Sequence, residues 1–286
     1  MTLGRRWFTV ALALVMVVGG TALALSRTPY GAAILRSRDQ FVASSIDPRV
    51  LYEPGSEHTA SLVAECLPAS VATVEEQQHL PLDRPFKVYV CSTQESFNAY
   101  MGAPAEAKAS GVKVMNDIFI SPQAFGDETG DSCQGVLTHE LSHLQLYQRM
   151  GHRRTLWDTP PWFLEGLAVM VSGAGGRGVT DDQALAAIVS GHHFVPDDRG
   201  SFLRPKRAAD YGIGTFMFYR QSELFVRYLR DEHVSGFREF LLQLQSGQNS
   251  FADAFAGSFG VGVAGAWDEF ERSVRSQSGR RPERQE

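Results

Sequence analysis

The chain lacks the surplus of positive charge that a nucleic-acid binder needs. Lysine and arginine number 27 against 32 aspartates and glutamates, for a net charge of −5 and a pI of about 5.9. No phosphate-tracking surface follows from that balance. Cysteine is scarce, with Cys66, Cys91 and Cys133 as the full set of three. So few thiols exclude a disulfide-framework fold, and their spacing excludes a thiolate zinc site. In an oxidising compartment one pair can still form a disulfide, and Cys66 with Cys91 is the expected pair. The alternative is three buried thiols. The sequence also lacks internal repeats and long low-complexity runs.

Uncharged runs are short everywhere except at the start. Residues 7–25, WFTVALALVMVVGGTALAL, carry no charge and follow Arg5 and Arg6. A basic region before such a stretch marks an export signal or a single membrane anchor. Ala22-Leu23-Ala24 suits a signal-peptidase cut, yet the run is nearly long enough to span a bilayer. Anchor and cleaved signal both stay open. A buried N-terminal helix is the third reading, against which stands the absence of any polar face. Either export reading puts the remainder outside the cytoplasm, with the membrane as a partner if the segment is uncut. Arg27, Arg36 and Arg38 follow the run, so the charge rule for orientation discriminates little.

With 286 residues, 43% of them hydrophobic, the chain can build one substantial domain. Residues 26–55 read as a tether with a polar lead-in, 56–275 as the domain, and 276–286 as a disordered tail. Residues 57–78 form an amphipathic helix that Pro68 breaks or kinks. FKVYVC, 86–91, alternates like a strand. ESFNAYMG is a short helix ended by Gly102. GVKVMNDIFIS, 111–121, gives two strands around a turn at Asn116-Asp117. A helix then runs from Ser132 to Gly151, and another starts at Pro160-Pro161. From residue 180 onward a 3.6-residue period dominates. The fold class is therefore α+β, with a small early sheet and a helical C-terminal half.

The chemistry centres on THELSHLQLY, residues 138–147. Residues four apart on a helix lie on one face, about 6 Å along the axis. His139 and His143 at that spacing can point at one metal ion. Glu140 directly follows the first and is placed to act as a base on a metal-bound water. HExxH arises by chance in about one chain in a hundred of this kind, so an ordinary amphipathic helix stays open until a third ligand is found. The candidate is Glu165 in PPWFLEGLA, 22 residues after His143.

HELSH followed by WFLEG resembles the gluzincin zinc metallopeptidases, and most of all their peptidase MA-like branch. WFLEG is similar to the W-x-x-E-G element of the M1 aminopeptidases. The resemblance implies one zinc ion held by His139, His143 and Glu165, with Glu140 as general base. It implies a thermolysin-like fold, with a cleft between a strand-bearing half and a helical half, and a peptide or protein substrate laid along the 111–121 strands. Tyr219, in YRQS, matches the tyrosine that hydrogen-bonds the oxyanion in those enzymes, with Tyr211 as the fallback. Two departures stand out. Val169 occupies a position where many relatives carry an acidic residue that orients a zinc-bound histidine. That duty would pass to a backbone carbonyl, Asp131 or Asp158. The exopeptidase G-A-M-E-N element is also missing, so an endopeptidase is the expected activity. A zinc-bearing zincin-fold module that binds at the cell surface without proteolysis is the rival. His192-His193 reads as a loop pair, His58, His79, His152 and His233 as surface or cap residues, and Asp181-Asp182 as a helix cap.

Overall fold

The structure is a computed structural model that describes residues 29–102, 109–125, 132–176, 178–201 and 204–278. The apolar run at 7–25 lies outside them. No helix among the described residues is long and apolar enough to cross a membrane.

The expected tether is, from residue 29 on, part of the folded unit. It carries α1 (Pro29–Leu35), β1 (Val42–Ala43) and β2 (Val50–Tyr52). Its composition is polar, but Phe41 and Val50 are buried and anchor the two strands. Helix α2 (Glu57–Gln77) crosses back to β3 (Val88–Val90) without a break at Pro68. Pro68 itself sits on the solvent side. The opposite side is held by buried Val63, Leu67 and Val74.

Thr93 caps α3 (Gln94–Met101), which Gly102 stops at φ +67°. The hairpin of β4 (Gly111–Val114) and β5 (Asp117–Ile120) turns at Met115-Asn116, one residue earlier than expected. Asp117 is held in the strand, where its carboxylate accepts from the Lys87 amide at 3.1 Å and pairs with Arg38.

The strands order as β1-β2-β3-β5-β4, with β2, β3 and β5 parallel and the two edges antiparallel to their neighbours. Alternation sorts the side chains by face. Val50, Val88, Val90, Ile118 and Ile120 join the main core under α2. Tyr89, Phe119 and Val114 form a second core with Phe41 and Tyr100. There Phe119 stacks between Tyr89 and Tyr100, with ring centroids 4.9 and 4.8 Å away.

The rest is helical: α4 (Cys133–Met150), α5 (His152–Trp157), α6 (Pro161–Ser172), α7 (Asp181–Val189), α8 (Thr215–Glu232), α9 (Val234–Gln245), α10 (Phe251–Phe259) and α11 (Val263–Ser278). Helix α11 thus extends into the expected tail. Helices α5 and α10 have no counterpart in the sequence reading. The cap of α7 is Thr180, in a capping box with Gln183. Asp181 and Asp182 instead occupy its first turn, where the helix dipole favours them. Strands before α4 and helices after it make the fold α+β.

The three cysteines are thiols. Cys91 is fully buried in the second core, whereas Cys66 lies on α2 against the main core. The sheet separates the two cores, so the expected Cys66–Cys91 pair does not meet.

Candidate metal centre

The motif helix α4 starts at Ser132, whose hydroxyl accepts from the Gly135 amide at 3.0 Å. It stops at Gly151, φ +81°. Between those signals His139 and His143 share one face, and their Nε2 atoms lie 3.2 Å apart. Helix α6 begins at Pro161, where a proline's missing N–H costs no helical bond. It brings Glu165 Oε2 to 3.5 Å from His139 Nε2 and 3.7 Å from His143 Nε2. This is the one such group of potential metal ligands among the described residues.

The triangle fits zinc. An ion about 2.0–2.1 Å from each of three tetrahedral ligands puts those ligand atoms about 3.4 Å apart. The observed edges bracket that value. Glu165 Oε2 is also buried without a hydrogen-bond partner, an arrangement that is costly unless a cation takes it up. Burial pushes the Glu165 carboxyl up, but the neighbouring His143 and His139 outweigh this and hold it well below the usual carboxylate range.

Glu140 is buried and lines a cleft of about 530 Å³ together with His139, Ser110, Gly111, Phe216 and Tyr219. Edge strand β4 presses directly on it: a Cβ at Gly111 would lie 2.9 Å from Glu140 Cγ. Only glycine lets the strand come so close to the carboxylate's stem. The next residue on that face of β4, Lys113, places its ammonium 3.9 Å from the centre of the Tyr147 ring. Burial pulls its pKa down to about 8, and the charge of Glu140 opposes the fall.

Tyr219 reaches the site from α8. Its ring centroid is 6.4 Å from that of His139, and its hydroxyl lies in the field of the Glu165 carboxylate. The negative charge of Glu165, then burial, holds the phenol above its ordinary range. It therefore stays a hydrogen-bond donor. Close helix packing sets this position, because a Cβ at Gly166 would lie 2.6 Å from the Ser222 carbonyl oxygen. Tyr211, the fallback, donates instead to the Val195 carbonyl at 3.1 Å.

Of the two expected carboxylates, the described one is engaged elsewhere. Asp158 accepts from the Phe251 amide at 3.0 Å, and Asp131 lies outside the described residues. Val169 is buried and packs toward Gly175, and a Cβ at Gly175 would lie 3.4 Å from the His139 ring. The wall behind that imidazole is thus apolar side chain and loop backbone. His192 and His193 sit elsewhere: the His192 carbonyl accepts from Gln221 and the His193 ring packs on Trp267.

The sequence reading named the two histidines, both glutamates and Tyr219: His139, Glu140 and Tyr219 line the cleft, and His143 and Glu165 meet His139 beside it. It missed Gly111, Lys113 and Phe216. Alternation along β4 could have put Gly111 and Lys113 on one face, but nothing local says that this face meets α4. No family model matches the chain, and no curated protein matches it.

Proposed function

We propose that the chain is an exported zinc metallopeptidase of the gluzincin type, with a thermolysin-like arrangement of sheet edge, motif helix and glutamate helix. The observation that carries this is the triangle of His139 Nε2, His143 Nε2 and Glu165 Oε2, with edges of 3.2, 3.5 and 3.7 Å. When bound, zinc supplies an acidified water and positive charge beside the scissile carbonyl. Glu140 takes the proton of the attacking water and passes it to the leaving amine. Tyr219 donates its hydroxyl hydrogen to the carbonyl oxygen as that oxygen gains charge. An extended peptide pairs with the free edge of β4, next to Ser110 and Gly111. The segment at 7–25 serves as the export signal or anchor.

The test combines metal analysis with hydrolysis of a quenched peptide library. The wild-type protein is expected to hold one zinc and to cleave. His143→Ala loses the zinc, while Glu140→Ala keeps it and stops cleaving. Stoichiometric zinc without cleavage of any peptide would turn the reading toward a binding module. Equal zinc in wild type and His143→Ala would remove the site altogether.

A further inference from the structure

We propose that Cys66 and Cys133 form an intramolecular disulfide that ties α2 to the first turn of the motif helix, leaving Cys91 as a thiol. The inference goes beyond the zinc reading and does not depend on it.

Three observations carry it. Cys66 on α2 and Cys133 in the first turn of α4 pack against the same core where the two helices meet, and burial, then the neighbouring Cys66 thiol, pushes the Cys133 thiol well above its usual range. The same seam is held one turn further along α2, where Ser70 Oγ donates to the Gln134 carbonyl at 3.4 Å. Ser70 and Cys66 are four apart, so both lie on the side of α2 that faces the start of α4. Finally, both thiols are half-buried and so remain reachable. A disulfide needs side chains that converge from backbones within about 7 Å, and the Ser70–Gln134 bond holds the two helices close beside these thiols. Cys91 has neither partner nor access, for it is fully buried in the other core.

The oxidant is a small disulfide donor of the glutathione class, such as an exported chain encounters. One cysteine, as thiolate, attacks a donor sulfur and expels the first donor thiolate. The second cysteine, as thiolate, attacks the protein-side sulfur of that mixed disulfide and expels the other. One S–S bond forms, the donor's S–S bond breaks, and the two cysteine protons leave with the two donor thiols. The donor receives two electrons. The bond spans residues 66–133, which include β3, β4 and β5. It starts α4 from a fixed point six residues before His139.

Trypsin separates the three cysteines, because cleavage after Arg49, Lys87, Lys108, Lys113 and Arg149 leaves each on its own peptide. The experiment equilibrates the purified protein with excess oxidised glutathione, alkylates it in denaturant and maps it without reduction. The expected result is one cross-link between peptides 50–87 and 114–149, lighter by two hydrogen atoms than the sum, with Cys91 alkylated. The oxidised protein should melt roughly 5–10 °C above the reduced one. Cys66→Ser and Cys133→Ser should each abolish both the cross-link and the redox-dependent shift. Mapping of the wild type stands even if a variant folds poorly. Three alkylated thiols after oxidation, glutathione adducts without a cross-link, or any bond to Cys91 would overturn the assignment.

Discussion

At the scale of the residue, each side chain around the cleft owes its state to one or two neighbours. Tyr219 is kept protonated by the negative charge of Glu165 beside it and by burial. If its hydroxyl serves the developing oxyanion, Tyr219→Phe should lower kcat about 10²–10³-fold. KM and zinc content should change little. Initial rates on a cleaved library peptide measure this, and an unchanged kcat would remove Tyr219 from the chemistry. Lys113 gives a pH signature instead. Burial lowers its folded pKa to about 8, below the roughly 10.4 of an unfolded chain. Between those values the unfolded state binds more protons, so this group's contribution to stability rises with pH across that window. Below it the cost of a buried charge is fully present. The shift bounds the increment at about 3 kcal/mol. The change in urea midpoint from pH 7.5 to 10 should therefore be more positive in wild type than in Lys113→Met, which lacks the titration.

Elements place these residues through close approach. Helices α6 and α8 touch at Gly166, where any Cβ meets the Ser222 carbonyl oxygen. On an open helix, glycine to alanine stabilises by about 1 kcal/mol. Here Gly166→Ala should instead destabilise by about 1–3 kcal/mol, because backbone rather than a flexible side chain must yield. A lowered urea midpoint checks the sign. Tyr219 sits less than one turn before Ser222, so the same variant should also lose activity. The loop after α6 is bound to α8 in a similar way. Arg220 donates to the Val179 carbonyl at 3.2 Å and pairs with Glu223 at 3.5 Å. That tie holds the segment around Gly175 against His139, the side on which Val169 supplies no carboxylate.

The whole molecule depends on a stretch that composition disguised. Residues 29–55 supply two of the five strands, and Phe41 and Val50 fill both cores. A protein starting at residue 29 should unfold cooperatively. One starting at residue 56 would expose the edge of β3 and empty both cores, and should give no cooperative thermal transition by circular dichroism. A sharp melt of the shorter protein would show that the domain begins where polarity suggested.

The sequence alone determined what short-range physics encodes. Ser132 and Gly151 bound the motif helix, Pro161 starts the next one, and helical periodicity puts His139 and His143 on one face. Those signals work within a turn or two, so they survive without knowledge of the fold. Tertiary structure decided what rests on contacts far apart in sequence. It carried α2 through Pro68 because the opposite face is buried, and it placed Glu165 and Tyr219 within reach of one triangle. It set Gly111 against Glu140, and it put Cys66 and Cys91 in different cores. THELSHLQLY put two candidate ligands on one helix, but only the packing of α4 and α6 brings Glu165 to them.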